Sequence, residues 1–260
     1  MTAPPTEPEI LQIHALRKSF NGHEVLAGVD FSLRACETAS VLGGSGSGKT
    51  TLLRLIAGLV KPDGGRIVLF GQDSVALSER ELLPFRRRMG VVFQGAALFD
   101  SLTVFENVAF PLELHTKAGA GEIRERVAQV LDEVGLPGLE EQYPAQLSGG
   151  MRKRIGIARA LVLQPDLLLF DEPTAGLDPT NTRMICELIA GLRGRFCGTS
   201  VVVTHDLHCA FMMSSQITFL HHGKIVEVAA PEDFRNSAKP EVRKFLEGAL
   251  DSTDVARKSS

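Results

Sequence analysis

The segment GGSGSGKT, Gly43 to Thr50, has the spacing G-x-x-x-x-G-K-[ST] of a phosphate-binding loop. In such a loop, backbone N–H groups surround the phosphates, the lysine pairs with the β and γ oxygens, and the last hydroxyl holds Mg²⁺. We therefore expect Lys49 and Thr50 to bind a nucleoside triphosphate with its Mg²⁺, rather than to form an ordinary glycine-rich turn. The loop residues expected to bind the nucleotide are Gly43, Ser45, Gly46, Gly48, Lys49, Thr50 and Thr51.

Two adjacent carboxylates end the apolar run LLLFDE. Ligand groups usually emerge at the carboxyl end of a buried parallel strand. Asp171 is expected to hold Mg²⁺ through water, and Glu172 to polarise the attacking water as the catalytic base. An acidic pair at a strand end is weak support by itself, but it becomes strong in combination with the phosphate loop.

Three further side chains stand where they could complete a nucleotide site. Gln94 follows the strand-like GVVF and is a candidate metal ligand and catalytic residue, whereas His205 follows VVVT and could reach the γ-phosphate. Phe20, in KSFNG, could stack on an adenine ring. Each residue alone also fits a purely structural role: Gln94 and His205 as hydrogen-bonded polar residues at strand ends, and Phe20 as part of the core.

The stretch LSGGM, Leu147 to Met151, predicts a second place where an anion could bind. Ser148 is well placed to cap the helix that follows, and the first N–H groups of that helix attract negative charge. Ser148, Gly149 and Gly150 are therefore candidate nucleotide-binding residues. The motif by itself does not say which anion they bind.

The positioning elements predicted around these motifs are those of an α/β fold. TASVLG, DLLLFD and SVVVTHD read as buried parallel strands, with RIVLFG and MGVVFQ as additional strands. ILQIHALRKSF and EVLAGVDFSLRA alternate apolar and polar residues around a turn, which indicates an antiparallel pair. Residues from about 98 to 163 are mostly helical in pattern, with a capping box at Thr103 and Glu106.

Composition narrows the function further. The chain has 260 residues, 44% of them hydrophobic, and a formal net charge of −3, so a general affinity for nucleic acid is not expected. There is no apolar run long enough to span a bilayer and no signal-peptide pattern at the start, so a cytoplasmic location is predicted. The four cysteines, Cys36, Cys186, Cys197 and Cys209, form no C-x-x-C pair, and reduced structural thiols are expected.

The order of these motifs, with AGLD (Ala175 to Asp178) between the carboxylates and His205, resembles the ATP-binding cassette (ABC) ATPases over about residues 10 to 235. The resemblance implies an α/β P-loop NTPase core of the RecA-like type with an antiparallel β subdomain and an inserted α-helical subdomain. It implies a head-to-tail homodimer in which LSGGM of one subunit faces the ATP of the other and Asp178 lies at that interface. Met151 departs from the glutamine that most members have; because the backbone amides and Ser148 would make the phosphate contact, we expect activity to survive with slower hydrolysis.

Domain boundaries follow from this resemblance. We expect a disordered segment over 1–9, an ABC ATPase domain over 10–236 with its helical subdomain at about 98–163, and a helical extension with a mobile tail over 237–260.

Three stretches resemble the ATPases of MCE/Mla-type lipid transporters: LSGGM with the basic pair that follows it, FQGAALFDSLTVFENVAFPLE, and KPEVRKFLEGAL. That branch implies a permease dimer at the inner face of the cell membrane, MCE lipid-binding subunits and sometimes a STAS-domain partner. An ATPase of another transporter, such as an amino-acid importer, would share every ATP-site residue. A soluble cassette ATPase is the remaining alternative, although this chain has neither a second cassette nor a basic face.

The last segment, KPEVRKFLEGAL, carries an apolar stripe at helical spacing. Pro240 is well placed to begin the helix. Two interpretations stay open from the sequence: the stripe packs on its own domain, or it docks on the second subunit or a partner. Its members are Val242, Phe245, Leu246, Ala249 and Leu250.

Overall fold

The structure is a computed structural model that describes residues 8–196 and 198–248. The strands are β1 (Glu9–Phe20), β2 (His23–Arg34), β3 (Thr38–Leu42), β4 (Gly64–Leu69), β5 (Gln72–Asp73), β6 (Met89–Val92), β7 (Leu167–Asp171), β8 (Thr199–Thr204), β9 (Gln216–His221) and β10 (Lys224–Ala229). The helices are α1 (Lys49–Ile56), α2 (Glu79–Arg87), α3 (Val104–His115), α4 (Ala120–Glu133), α5 (Gly149–Leu161), α6 (Pro179–Phe196), α7 (Leu207–Met213), α8 (Pro231–Arg235) and α9 (240–248).

The central sheet has the strand order β10-β9-β3-β8-β7-β6. From β9 to β6 every neighbouring pair is parallel, and only β10 is antiparallel to its neighbour. Every residue of β3, β7 and β8 is buried, which explains why these segments are apolar runs without alternation. The parallel α/β core predicted from the sequence is thereby confirmed.

A second sheet, of order β2-β1-β4-β5, is antiparallel. The predicted strand pair around the turn is β1 with β2. Strand β2 lies against the phosphate loop, since a Cβ added at Gly48 would stand 3.0 Å from the Val25 carbonyl oxygen. The antiparallel sheet is thus joined to the end of the core that carries the segment Gly43 to Thr50.

Helices α3, α4 and α5 form the insert between β6 and β7, as predicted. Their apolar faces meet in one cluster that includes Val108, Val127 and Ile155, all fully buried. The predicted capping box begins α3, since Thr103 N–H donates to Glu106 at 2.7 Å and Glu106 N–H donates to the Thr103 hydroxyl at 3.2 Å. Within the described ranges, no helix has both the length and the apolar content to cross a bilayer.

The cysteines differ from the expectation of reduced thiols. Cys186 on α6 and Cys209 on α7 are both fully buried and are bonded as a disulfide, with Cα atoms 5.7 Å apart. Cys36 is disulfide-bonded as well, and Cys197 lies outside the described residues. Close C-x-x-C spacing is a local signal, whereas this pair is made by the packing of two helices whose cysteines are 23 positions apart.

The C-terminal stripe packs on its own domain. Val242 is fully buried, Leu246 is 8% exposed, and the ring of Phe245 lies 4.9 Å from that of Phe219 on β9. These side chains share a cluster with Phe234 of α8. The interpretation that the stripe docks on a partner is therefore wrong for Val242 and Leu246, and Phe245 is partly buried against the same cluster. Ala249 and Leu250 lie outside the described residues.

Candidate nucleotide site

Four neighbouring parallel strands deliver the predicted site residues to one edge of the central sheet. In the order β3, β8, β7, β6, their carboxyl ends lead into the phosphate loop, His205, the Asp171–Glu172 pair and Gln94. The carboxyl edge of a parallel sheet is where ligands of open α/β folds bind. The structure therefore places side chains from four distant parts of the chain at the same edge.

The phosphate loop has the conformation that its glycines permit. Gly46 and Gly48 have φ angles of 75° and 105°, in the left-handed region that glycine tolerates best. An added Cβ at Gly43 would collide with the main-chain oxygen of Leu220. Helix α1 begins at Lys49 without a side-chain cap and without an acidic residue in its first turn. Its first N–H groups therefore suit an anion.

Lys49 lies inside this loop. It is 8% exposed, and its ammonium donates to the carbonyl oxygens of Gly43 at 2.8 Å and Gly44 at 3.0 Å. Burial lowers the pKa of Lys49, while the charges of Glu172 and Asp171 act in the opposite direction. The ammonium is thus held at the phosphate loop by weak carbonyl partners, which a phosphate can replace.

Thr50, in the first turn of α1, lies next to Asp171, the last residue of β7. The Thr50 hydroxyl donates to the Asp171 carboxylate at 3.0 Å, although the two residues are 121 positions apart. A hydroxyl and a carboxylate at this separation are oxygen donors of the kind that Mg²⁺ prefers. The Ser47 hydroxyl is buried in the same loop without a hydrogen-bond partner, a further polar group suited to a polar ligand.

Glu172 occupies a strained backbone position beside His205. Its φ is 47°, in the left-handed region, and its N–H donates to the Val203 carbonyl at 2.9 Å. The Glu172 carboxylate lies 3.0 Å from His205 Nδ1, and its side chain is 14% exposed, against 68% for the histidine. Strain of this kind persists where the surroundings hold it, commonly at functional sites.

Gln94 and Phe20 both have exposed side chains near this edge. Gln94 follows β6, next to the strand that ends in Asp171. Phe20 ends β1 with 44% of its surface exposed, and its ring lies 5.2 Å from the Lys18 ammonium. An exposed aromatic ring on the sheet that contacts Gly48 is available for stacking, so the interpretation of Phe20 as core is not supported.

The LSGGM stretch begins α5 as predicted. The Ser148 hydroxyl accepts a hydrogen bond from Met151 N–H at 3.2 Å, and Ser148 and Gly149 are exposed. Gly150 is buried against Asn181, which also binds the Asp178 carboxylate. No hydrogen bond or ion pair found in ranges 8–196 and 198–248 joins Ser148 to the phosphate loop. Within one chain, the candidate anion site at Ser148 is therefore separate from the phosphate loop.

One site residue was missed by the sequence argument. Lys153, the fifth residue after the Ser148 cap, is 7% exposed and donates to the carbonyl oxygens of Gln94 and Glu172. The only signal in the sequence is a lysine among apolar helix positions in RKRIGIARAL, and a basic pair at this place is equally typical of a solvated helix start. Its partners are backbone atoms, which leave no mark in residue types.

Comparison with known proteins agrees with this geometry. The family model described as ABC transporter matches residues 26–175. A solved dimeric structure of the ATP-binding cassette MJ0796, in a post-hydrolysis state with ADP and Pi, superposes with a TM-score of 0.79 at 32% identity, covering 85% of this chain and 98% of that one.

Three curated relatives carry different transport or lipid names. The probable ribonucleotide transport ATP-binding protein mkl of Mycobacterium tuberculosis is 39% identical over 92% of this chain, which spans 66% of that relative's length. The methionine import ATP-binding protein MetN of Caulobacter vibrioides is 43% identical over 88% of this chain and 69% of its own length. The chloroplastic protein trigalactosyldiacylglycerol 3 of Arabidopsis thaliana is 39% identical over 93% of this chain and 74% of its own length.

The family model matches more than half of the chain, and the relatives and the arrangement of the phosphate loop agree with that match. This chain therefore belongs to the ABC transporter family and carries its ATP-binding cassette.

Proposed function

We propose that this chain binds and hydrolyses ATP to power a membrane transporter. The observation that carries the proposal is the common edge of β3, β8, β7 and β6, where Glu172 lies beside His205 and Thr50 beside Asp171. Lys49 and the loop amides bind the phosphates, and Phe20 stacks on the adenine. Glu172 orients and polarises the attacking water, and His205 contacts the γ-phosphate.

Mg²⁺ fits the same oxygens. Thr50 and Asp171 would hold it, the latter through water, and Gln94 would add an amide oxygen. When bound, the ion neutralises charge that develops on the phosphate oxygens. Chelation of Mg²⁺ by EDTA should abolish hydrolysis, and restored Mg²⁺ should recover it.

The exposed second anion site supports a head-to-tail homodimer. Ser148 and Gly149 are exposed at the start of α5 and make no polar contact with the phosphate loop of their own chain among the described residues. In the dimer, Ser148, Gly149 and Gly150 face the γ-phosphate held by the partner subunit, and Asp178 lies at the interface. The solved cassette named above is dimeric, which supports this arrangement.

The transported molecule is proposed to be a lipid, within an MCE/Mla-type complex. The three stretches that resemble this branch support it, as does the Arabidopsis thaliana relative, which is named after a galactolipid. The complex would place this chain in the cytoplasm, against a permease dimer at the inner membrane face, with MCE subunits and in some systems a STAS-domain partner. The alternative is an importer of a small solute, which the methionine-import relative favours.

Purification of the tagged chain with its native membrane partners tests this proposal. We expect Mg²⁺-dependent ATP turnover, and a copurified permease with an MCE protein identified by mass spectrometry. A permease that copurifies with a periplasmic amino-acid-binding protein instead would establish the importer alternative. Absence of ATP turnover in the intact complex would refute the enzymatic proposal.

A further inference from the structure

Lys153 is a buried cation that contacts the main chain after β6, at Gln94, and after β7, at Glu172. Its ammonium donates to the carbonyl oxygen of Gln94 and, at 3.4 Å, to that of Glu172. No carboxylate lies within ion-pair distance of it among the described residues. Burial lowers the pKa of Lys153, while the charges of Glu172 and Asp171 oppose that effect. A buried charge without a close counterion is costly, so its position calls for an explanation.

Both carbonyls belong to backbone that needs support. Glu172 has a φ of 47°, and the loop after Gln94 has two more left-handed residues, Ala96 at 60° and Ala97 at 50°. Such conformations are energetically unfavourable in a non-glycine residue and persist only where the surroundings hold them. Without external partners, these segments would relax and carry the Gln94 and Glu172 side chains with them.

Other residues of α5 hold the rest of this loop. Arg159 donates to the carbonyl oxygens of Ala96 and Ala97, each at 2.8 Å. Gly156 allows the close approach, because a Cβ added there would stand 3.2 Å from the Cβ of Ala96. Positions 153, 156 and 159 are spaced by three, so each lies beside the next along the helix. The contact is therefore continuous along the helix.

We propose that Lys153 is a positioning residue for ATP hydrolysis, which holds the main chain of Gln94 and Glu172 in one geometry. The inference rests on the proposed function, and it assigns Lys153 no contact with ATP. Because Lys49 and the phosphate loop bind the nucleotide, loss of the Lys153 ammonium acts on the chemical step. Since Ser148 caps α5, the same helix links the second anion site to the main chain of Gln94 and Glu172 in its own subunit.

The test is Lys153→Met in the full chain, which keeps the length of the stem and removes the donors. We expect kcat to fall at least about tenfold, because misplacement of catalytic groups by about 1 Å costs up to about a hundredfold. The Kd for ATP should stay within about threefold of the parent, as for a group that acts only on the chemical step. Turnover is expressed per ATP bound, so that unfolded protein does not contribute.

Arg154→Met is the matched control on the same helix. Arg154 also donates to two carbonyl oxygens, those of Val134 and Gly135, but both lie in the helical insert. We expect its kcat per bound ATP to remain near the parental value. If the control falls as far as Lys153→Met, a general effect of weakening α5 explains both results and the proposal is overturned.

Two further outcomes distinguish failure of the positioning role of Lys153 from failure of the proposed ATPase function. An active parent whose Lys153→Met variant has unchanged kcat per bound ATP overturns the positioning role alone. A parent that binds no ATP overturns the proposed function instead. Should Lys153→Met fail to fold, the same kcat criterion applies to Lys153→Gln, whose amide keeps N–H donors but is one bond shorter and cannot span both carbonyls.

Discussion

Replacing Glu172 by glutamine separates catalysis from nucleotide binding. The side chain is 14% exposed, and its carboxylate touches His205 Nδ1 at 3.0 Å. Glutamine has the same shape and can keep a hydrogen bond to that nitrogen. The free energy of unfolding should therefore change by less than about 1 kcal/mol. The phosphate loop is untouched, because Lys49 binds Gly43 and Gly44 rather than the glutamate.

The expected loss lies in turnover. Removal of a general base costs about 10²–10⁴-fold in rate. At about 1.36 kcal/mol per factor of ten, this corresponds to about 3–5 kcal/mol of transition-state stabilisation. A change of that size far exceeds the expected change in stability, so the two effects are measurable independently.

Three measurements on Glu172→Gln decide the matter: ATP turnover with Mg²⁺, ATP affinity at equilibrium and the melting temperature. We expect turnover to collapse, affinity to persist and the dimer to accumulate with ATP trapped in it. Glu125→Gln, at an exposed position of α4, is the control for the loss of one carboxylate and should behave as the parent. Parental turnover in Glu172→Gln would refute the assignment of the base.

Two further predictions address binding and assembly. Lys49→Ala should abolish productive ATP binding. Mixing that variant with Ser148→Arg should restore some turnover, because one of the two composite sites in the mixed dimer then carries neither defect. If one intact site suffices in the parent, differentially tagged mixed dimers that stay inactive would contradict the head-to-tail geometry. Leu246→Ala should lower the free energy of unfolding by about 2 kcal/mol or more, because Leu246 is buried in its own domain, and should leave dimer formation per folded molecule unchanged. A parental melting temperature combined with weakened assembly would restore the docking interpretation of the C-terminal stripe.

Local patterns in the sequence were enough to predict most of the strands and helices that surround the site and to propose its catalytic residues. The phosphate loop needs glycines at fixed offsets because its backbone closes around phosphates, so its spacing alone is diagnostic. The apolar runs of β3, β7 and β8 predicted buried strands because parallel strands are covered on both faces. The Thr103 cap was predictable because its partner is three residues away.

Only the tertiary structure decided which of these parts meet. Thr50 binds Asp171 across 121 positions, and the disulfide joins Cys186 to Cys209 from two helices. The support that Lys153 gives to Gln94 and Glu172 runs through carbonyl oxygens, which every residue has. An apolar stripe predicts that a helix is covered, but burial stabilises it equally against any apolar surface, so the packing of Val242 on its own domain required the fold.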